Sequence, residues 1–117
     1  MDADEVGDVL LGEDLGVALH VVAPLCLGGN VFGWTADEAM SHRLLDAFVD
    51  AGFNFIDTAN VYGSGAAESF LGEVLRAVPR ERYVLATKVF FPMTATDRGL
   101  SAAQIRKQLD ASLRRLQ

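Results

Sequence analysis

The alternation of apolar runs with helical patterns is the feature that most limits the fold of this 117-residue chain. Short apolar runs at 25–28, 53–56 and 83–87 have the length of buried strands. Each run is followed by a stretch in which apolar residues recur at helical spacing. Strands that alternate with helices are typical of a parallel sheet. The sequence therefore predicts an α/β fold built from about three βα units.

Start signals mark two of the three predicted helices. Thr35 and Glu38 have the spacing of a capping box before the first helix, as do Ser101 and Gln104 before the third. The second helix has apolar residues at helical spacing at Leu71, Val74 and Leu75. We expect the third helix to carry an inner apolar stripe, made of Ile105, Leu109, Leu113 and Leu116.

The amino-terminal part of the chain has a different pattern. Residues 1–8 are rich in acids and predict a disordered start. Residues 9–22 predict a β-hairpin around a turn bounded by Gly12 and Gly16. Residues 9–117 are then expected to form one domain, whose repeating βα part begins after Pro24.

Three polar side chains follow the second and third predicted strands. Asp57 ends the second strand, Tyr62 lies in the loop after it, and Lys88 follows the third strand. A cation held near a phenol lowers the pKa of the phenol and makes it a better proton donor. The sequence therefore predicts a proton-donating site, in which Asp57 holds Lys88 and Lys88 assists Tyr62.

Three segments together resemble the aldo-keto reductase family. They are Asp-Thr-Ala-Asn-Val-Tyr-Gly at 57–63, Ala-Thr-Lys-Val at 86–89, and Pro-Leu-Cys-Leu-Gly-Gly-Asn-Val-Phe-Gly at 24–33. Their order and spacing make the resemblance specific, and it covers most of the chain, from about Val9 to the end.

This resemblance implies a partial (β/α)8 TIM barrel, in which the hairpin closes the bottom. It also implies reduction of aldehydes or ketones with a nicotinamide cofactor, usually NADPH, through an Asp, Tyr, Lys and His tetrad. Asp57, Tyr62 and Lys88 match three members of that tetrad as catalytic residues. The family's His follows the next strand, beyond Gln117.

The resemblance also implies residues that contact the ligands. The turn with Asn30, Val31 and Phe32, together with Asp57, is expected to bind the cofactor at its nicotinamide. Trp34 and Tyr62 are expected to contact a small carbonyl substrate, although packing in the core is the alternative for Trp34. We expect Phe90 and Phe91 to form an apolar wall of the substrate site.

A dinucleotide-binding turn is a second interpretation of the Gly-x-Gly at 63–65. Glu68 stands where its third glycine is expected. Lys88 ends the following strand, where an acidic residue should meet the ribose. We therefore favour a flexible loop between strand and helix over a Rossmann turn.

Composition limits the partners and the location. A net charge of −6 argues against binding of nucleic acid or of an anionic membrane surface. No apolar run has the length of a membrane span, and the acidic start lacks the cationic region of a signal peptide, so a cytoplasmic location is expected.

Cys26 is the single cysteine, so an internal disulfide is excluded, and its side chain is expected in the core. No metal site is expected.

Length conflicts with a complete barrel, which needs roughly 200 residues or more. We therefore expect a fragment of an NADPH-dependent oxidoreductase. The isolated chain is not expected to bind NADPH tightly, because most phosphate contacts of the family follow later strands. The alternative is an inactive truncated barrel that acts through self-association, across its unclosed sheet, or by binding a partner protein.

Overall fold

A computed structural model describes residues 21–117, which form three strands and three α-helices. The strands are β1 (Cys26–Gly28), β2 (Phe55–Asp57) and β3 (Val84–Ala86), and they pair in parallel in that order. The helices are α1 (Glu38–Asp50), α2 (Ala66–Leu75) and α3 (Ala102–Leu116). The predicted βα units and the parallel sheet of a partial barrel are confirmed.

The predicted disordered start at 1–8 lies outside the described residues, and so does the predicted hairpin at 9–22 except for its last two positions. Val21 and Val22 have no regular secondary structure. The Ala23 amide donates to Asn54 Oδ1 at 2.7 Å, and Asn54 Nδ2 donates to the Val21 carbonyl at 2.8 Å. These two bonds tie the chain before β1 to the start of β2.

The register of the sheet decides which side chains enter the core. Leu27, Ile56 and Leu85 are level across the three strands, and all three pack in the hydrophobic core. Successive side chains of a strand point to opposite faces. Asp57, directly after Ile56, therefore points to the face that the helices do not cover.

The core lies between the sheet and the three helices, and α2 packs against both α1 and α3. Its fully or nearly fully buried apolar residues are Phe32, Ala36, Leu45, Phe48, Ile56, Ala67, Leu71 and Leu75. Within residues 21–117, no helix is both long enough and apolar enough to cross a membrane.

The predicted cap of α1 is two residues too early. The Asp37 side chain, rather than Thr35, caps the helix by accepting from the Met40 amide at 2.8 Å. Ala36 donates its amide to the Val31 carbonyl at 2.9 Å, so Thr35 and Ala36 still belong to the preceding turn. The predicted cap of α3 is confirmed, since Ser101 Oγ accepts from the Gln104 amide.

The predicted inner stripe of α3 is wrong for three of its four residues, and only Leu116 packs against the core. Ile105, Leu109 and Leu113 are 42%, 46% and 57% exposed, whereas Gln108 and Ser112 are buried. The face with Gln108 and Ser112 packs toward α2, and adjacent residues of a helix are about 100° apart around its axis. Ile105, Leu109 and Leu113 therefore lie beside this contact and remain uncovered in the described part of the chain.

Cys26 was expected in the core, and this prediction is also wrong. It is exposed and begins β1, which pairs with β2 along one side. Because it alternates with Leu27, its side chain points away from the helices, toward the uncovered face of the sheet.

We expect Gly72→Ala to destabilise the fold, because α2 and α3 touch at this glycine. A Cβ at Gly72 would overlap the Arg115 carbonyl oxygen and would lie 2.9 Å from the main chain of Leu116. Since backbone atoms cannot move aside locally, the cost should be about 1–3 kcal/mol or more in the free energy of unfolding. Urea denaturation measures it.

Gly28→Ala is the matched control, because a Cβ there would meet only Asn30 Oδ1, at an ordinary contact distance of 3.5 Å. Equal unfolding midpoints for the two variants would contradict the close approach of α2 and α3.

Candidate active site

The site lies at the carboxyl ends of β2 and β3, where two loops are held side by side. Beyond the strands, the Thr58 amide donates to the Ala86 carbonyl at 2.8 Å and the Asn60 amide donates to the Lys88 carbonyl at 3.1 Å. The parallel pairing thus continues past the sheet. It brings the segment after Asp57 alongside Lys88.

Asp57 and Lys88 form an ion pair, as the sequence predicted. Lys88 Nζ lies 2.6 Å from Asp57 Oδ2, and the two side chains are 49% and 39% exposed. Desolvation is the largest single influence on the pKa of Lys88 and lowers it, but Asp57 and the nearby Tyr62 hydroxyl outweigh this effect and raise the pKa above its ordinary value of 10.5. Lys88 therefore remains an ammonium at neutral pH.

Tyr62 also lies near Lys88, in a 3₁₀ turn at Tyr62–Gly65. Its amide donates to the Ala59 carbonyl at 3.2 Å, and Lys88 Nζ lies 5.1 Å from the centroid of its ring. This distance is within the range of a cation–π contact. The structure therefore brings together the three predicted catalytic residues, Asp57, Tyr62 and Lys88.

Gly63 lets the Tyr62 turn approach the loop after β1. Its φ is 57°, in the left-handed region, and a Cβ there would lie 2.8 Å from the Phe32 carbonyl oxygen. Any other residue would be strained and would push the two loops apart. The position after Tyr62 therefore requires glycine for steric reasons, in addition to being part of the sequence motif.

An open cavity of about 220 Å³ borders Tyr62 and Lys88. Its other lining residues come from the same two loops and are Ala59, Asn60, Val61, Val89, Phe90 and Phe91. The rings of Phe90 and Phe91 meet edge to face, with centroids 5.2 Å apart. The cavity thus joins an aromatic wall to one phenol and one ammonium, which suits a ligand with an apolar body and one polar group.

Three of the four residues predicted to border the cofactor lie on the turn after β1, and the fourth, Asp57, ends β2. Asn30 is exposed, Val31 is half-buried, and both belong to the 3₁₀ turn Gly29–Val31. Phe32 is fully buried in the core, so only its main chain is available to a ligand. Trp34 is 75% exposed, which excludes core packing and leaves ligand contact as a prediction.

A buried polar network behind the site was missed by the sequence interpretation. Glu68 is fully buried and accepts from Thr87 Oγ1 at 2.6 Å and from Arg115 Nε at 2.7 Å. Buried Asn60 donates to buried Gln108 at 3.2 Å. One signal was available for Glu68, because it lies at helical spacing from Leu71 on the buried stripe of α2.

A group of possible metal ligands lies elsewhere, on the outer surfaces of α1 and α2. The ligating atoms of Glu38, His42 and Glu73 are within 4.8 Å of one another. His42 Nε2 and Glu73 Oε2 are 3.1 Å apart, a distance that an ion pair between the helices accounts for. None of the three lines the cavity beside Tyr62.

Comparison with known proteins gives this site a context. The sequence model of the aldo/keto reductase family matches residues 24–117. An uncharacterized oxidoreductase of Bacillus subtilis (strain 168), YrpG, is 42% identical over 108 residues, which are 82% of this chain and 33% of that protein. The NADP(+) aryl-alcohol dehydrogenase of Phanerodontia chrysosporium is 46% identical over 82 residues, 62% of this chain and 21% of that protein.

A solved structure is similar over the same region. The holo form of aldo-keto reductase AKR11C1 from Bacillus halodurans superposes with a TM-score of 0.72 and 32% sequence identity, over 87% of this chain and 35% of that chain. The chain thus spans about a third of the length of these Bacillus proteins. The family's sequence model and the structural similarity cover nearly the same part of the chain. The chain therefore belongs to the aldo/keto reductase family.

Proposed function

We propose that this chain supplies the proton-donating part of an NADPH-dependent oxidoreductase that reduces aldehydes or ketones to alcohols. The observation that carries the proposal is the position of Lys88, which pairs with Asp57 at 2.6 Å and lies 5.1 Å from the centre of the Tyr62 ring, at the edge of a cavity. The three residues come from two different loops, so their meeting depends on the fold.

Tyr62 is the proposed acid. When the carbonyl carbon of a substrate is reduced, the oxygen gains negative charge and takes a proton from the Tyr62 hydroxyl, which leaves a phenolate. The ammonium of Lys88 stabilises that phenolate by its positive charge. Solvent then returns a proton to Tyr62, since the cavity is open.

Asp57 and Lys88 have separate proposed roles, since Asp57 positions the ammonium and Lys88 supplies the positive charge. Asp57 Oδ2 accepts a hydrogen bond from Lys88 Nζ and fixes the ammonium beside Tyr62. Because the pKa of Lys88 is raised above its ordinary value of 10.5, the ammonium loses its proton only in the strongly alkaline range. The stabilising charge is therefore present throughout the neutral range.

The described residues fit one end of a nicotinamide cofactor. A cavity of about 220 Å³ beside Tyr62 has room for a small carbonyl compound. Asn30, Val31 and Asp57, the proposed contacts of the nicotinamide ring, lie outside its lining, at the carboxyl ends of β1 and β2. When bound, the nicotinamide supplies the hydride to the carbonyl carbon. Lys88 is the one cation among the residues that line this cavity, and it is paired with Asp57, so we assign no residue here to the cofactor's phosphates.

Two observations support NADPH and an aryl substrate. The Phanerodontia relative is named an NADP(+) aryl-alcohol dehydrogenase. The aromatic wall of Phe90 and Phe91 is exposed at 51% and 61% and faces the cavity, where a flat apolar substrate would stack on it. An aromatic aldehyde is therefore the first substrate to test.

We expect Tyr62→Phe to abolish most carbonyl reduction when this chain's site is placed in a complete barrel. Residues 21–117 would replace the matched segment of the Bacillus halodurans reductase, and NADPH consumption with benzaldehyde would be followed by absorbance. Loss of a general acid should lower kcat by roughly 10²–10⁴-fold, with little change in NADPH affinity.

Tyr83→Phe is the matched control, because Tyr83 precedes β3 and stacks with Arg80 at the opposite end of that strand. A folded chimera whose Tyr62→Phe variant keeps its rate would remove Tyr62 from the mechanism. A folded chimera without any activity, beside an active host enzyme, would contradict the proposed function as a whole.

Lys88→Met should also lower kcat in the chimera, because the phenolate of Tyr62 loses its cation. A charge-assisted hydrogen bond is worth about 1.5–3 kcal/mol, which corresponds to roughly a ten- to hundredfold lower rate. The pH dependence of the rate should also differ between the chimera and its Lys88→Met variant, because the variant lacks the cation beside the Tyr62 ring. Lys107→Met removes the other lysine of the chain, which pairs with Asp97 and does not line the cavity, and it should leave the rate unchanged.

A second candidate function is association with another copy of the chain. The exposed leucines of α3, Leu109 and Leu113, border a groove of about 260 Å³ that also includes Leu85 of β3. Within residues 21–117, β3 pairs with a strand on one side only. An apolar groove beside a free strand edge favours self-association.

We expect the 117-residue chain to be dimeric or larger in sedimentation at micromolar concentration if this second candidate holds. Leu109→Asp with Leu113→Asp should then give a monomer, because carboxylates would have to be desolvated in the contact. Ala39→Asp and Ala77→Asp, on exposed positions of other segments, serve as the control. A monomeric unmodified chain would contradict the idea.

A further inference from the structure

Glu68 is a charged residue in a place where charge is costly. Its side chain is fully buried on α2, and both of its oxygens are used, Oε1 by Thr87 Oγ1 at 2.6 Å and Oε2 by Arg115 Nε at 2.7 Å. A buried carboxylate is tolerated when it is paired and hydrogen-bonded in this way. One buried carboxylate therefore links α2, the end of β3 and α3.

Thr87 connects this carboxylate to the active site through the chain itself. It immediately precedes Lys88, and the two side chains point in opposite directions because the backbone there is still extended beside the Thr58 loop. Thr87 points back to Glu68, whereas Lys88 points to Asp57 and the cavity. The Lys88 carbonyl is held on the other side by the Asn60 amide.

A second buried hydrogen bond joins α3 to the loop that carries Tyr62. Asn60 Nδ2 donates to Gln108 Oε1 at 3.2 Å, and Asn60 lies two residues before Tyr62. Gln108 and Arg115 are seven residues apart, which places them on one face of α3. Both loops of the site are therefore tied to one face of one helix.

We propose that Glu68, anchored by Arg115, is a positioning residue that sets the location of Lys88 through Thr87. It touches neither substrate nor cofactor in this arrangement. Without the Thr87 anchor, the peptide between residues 87 and 88 can rotate, and the Lys88 ammonium spends less time beside Asp57 and Tyr62. The consequence of this positioning for catalysis rests on the proposed function. The effect of Glu68 on the position of Lys88 does not depend on it.

The rival explanation is that Glu68 only stabilises the fold, and the titration of Lys88 separates the two. Asp57 and Tyr62 are the titratable groups that face Lys88, and neither is altered by the variants below. The chain has two lysines, Lys88 and Lys107, so the Cε signals of ¹³C-labelled lysine report on both at once. Lys107 pairs with Asp97 at 2.7 Å and serves as an internal control.

In the full chain, Thr87→Val should shift the pKa of Lys88 down toward its ordinary value of 10.5, while the titration of Lys107 stays unchanged. Thr87→Ser keeps the hydroxyl and should restore the raised value. Glu68→Gln should act in the same direction as Thr87→Val. Circular dichroism identifies the variants that are folded and can be compared.

An unchanged Lys88 titration in folded Thr87→Val would overturn the proposal. Arg115→Met is the second variant, because it frees Glu68 from the far side and leaves residue 87 intact. If Thr87→Val does not fold, a folded Arg115→Met chain with an unchanged Lys88 titration overturns the proposal equally. None of these measurements needs catalysis, so failure of the reductase proposal is detected separately, by the chimera.

Discussion

The buried carboxylate of Glu68 is the interaction on which the rest of the described structure depends. It holds α2, β3 and α3 together through Thr87 and Arg115, and close contacts at Gly72 keep α2 and α3 near enough for these bonds. Removing one partner from a buried ion pair typically costs about 3–5 kcal/mol, because the other charge stays buried without compensation. No other ion pair among residues 21–117 has a fully buried member.

The ion pair of Asp57 and Lys88 is of a different kind. With both side chains 39–49% exposed, it contributes at most about 1 kcal/mol to stability. That is too little to hold two loops in place. Main-chain hydrogen bonds from Thr58 and Asn60 to β3 and its extension do so instead. The charges of the pair are therefore available for chemistry at the cavity, while the scaffold is maintained by the backbone and by the buried network behind it.

Most of the fold and the centre of the site could be predicted from the sequence. Short apolar runs and helical spacing predicted three βα units, and strand ends predicted where Asp57, Tyr62 and Lys88 would meet. Local patterns failed where packing decides. Thr35 has the spacing of a cap, but the turn held by Ala36 delays the helix to Glu38. The leucine stripe of α3 has helical spacing, but α2 contacts the neighbouring face with Gln108 and Ser112.

The sequence by itself determined the order of strands and helices and pointed to the side chains proposed as catalytic, because both depend on residue type and spacing along the chain. Tertiary structure alone decided that Glu68 pairs with Arg115, 47 residues later, and that Asn60 pairs with Gln108. It also decided that Trp34 and Cys26 are exposed rather than packed in the core. Such pairings and exposures depend on which faces of distant segments meet, and the spacing within a single segment carries no information about that.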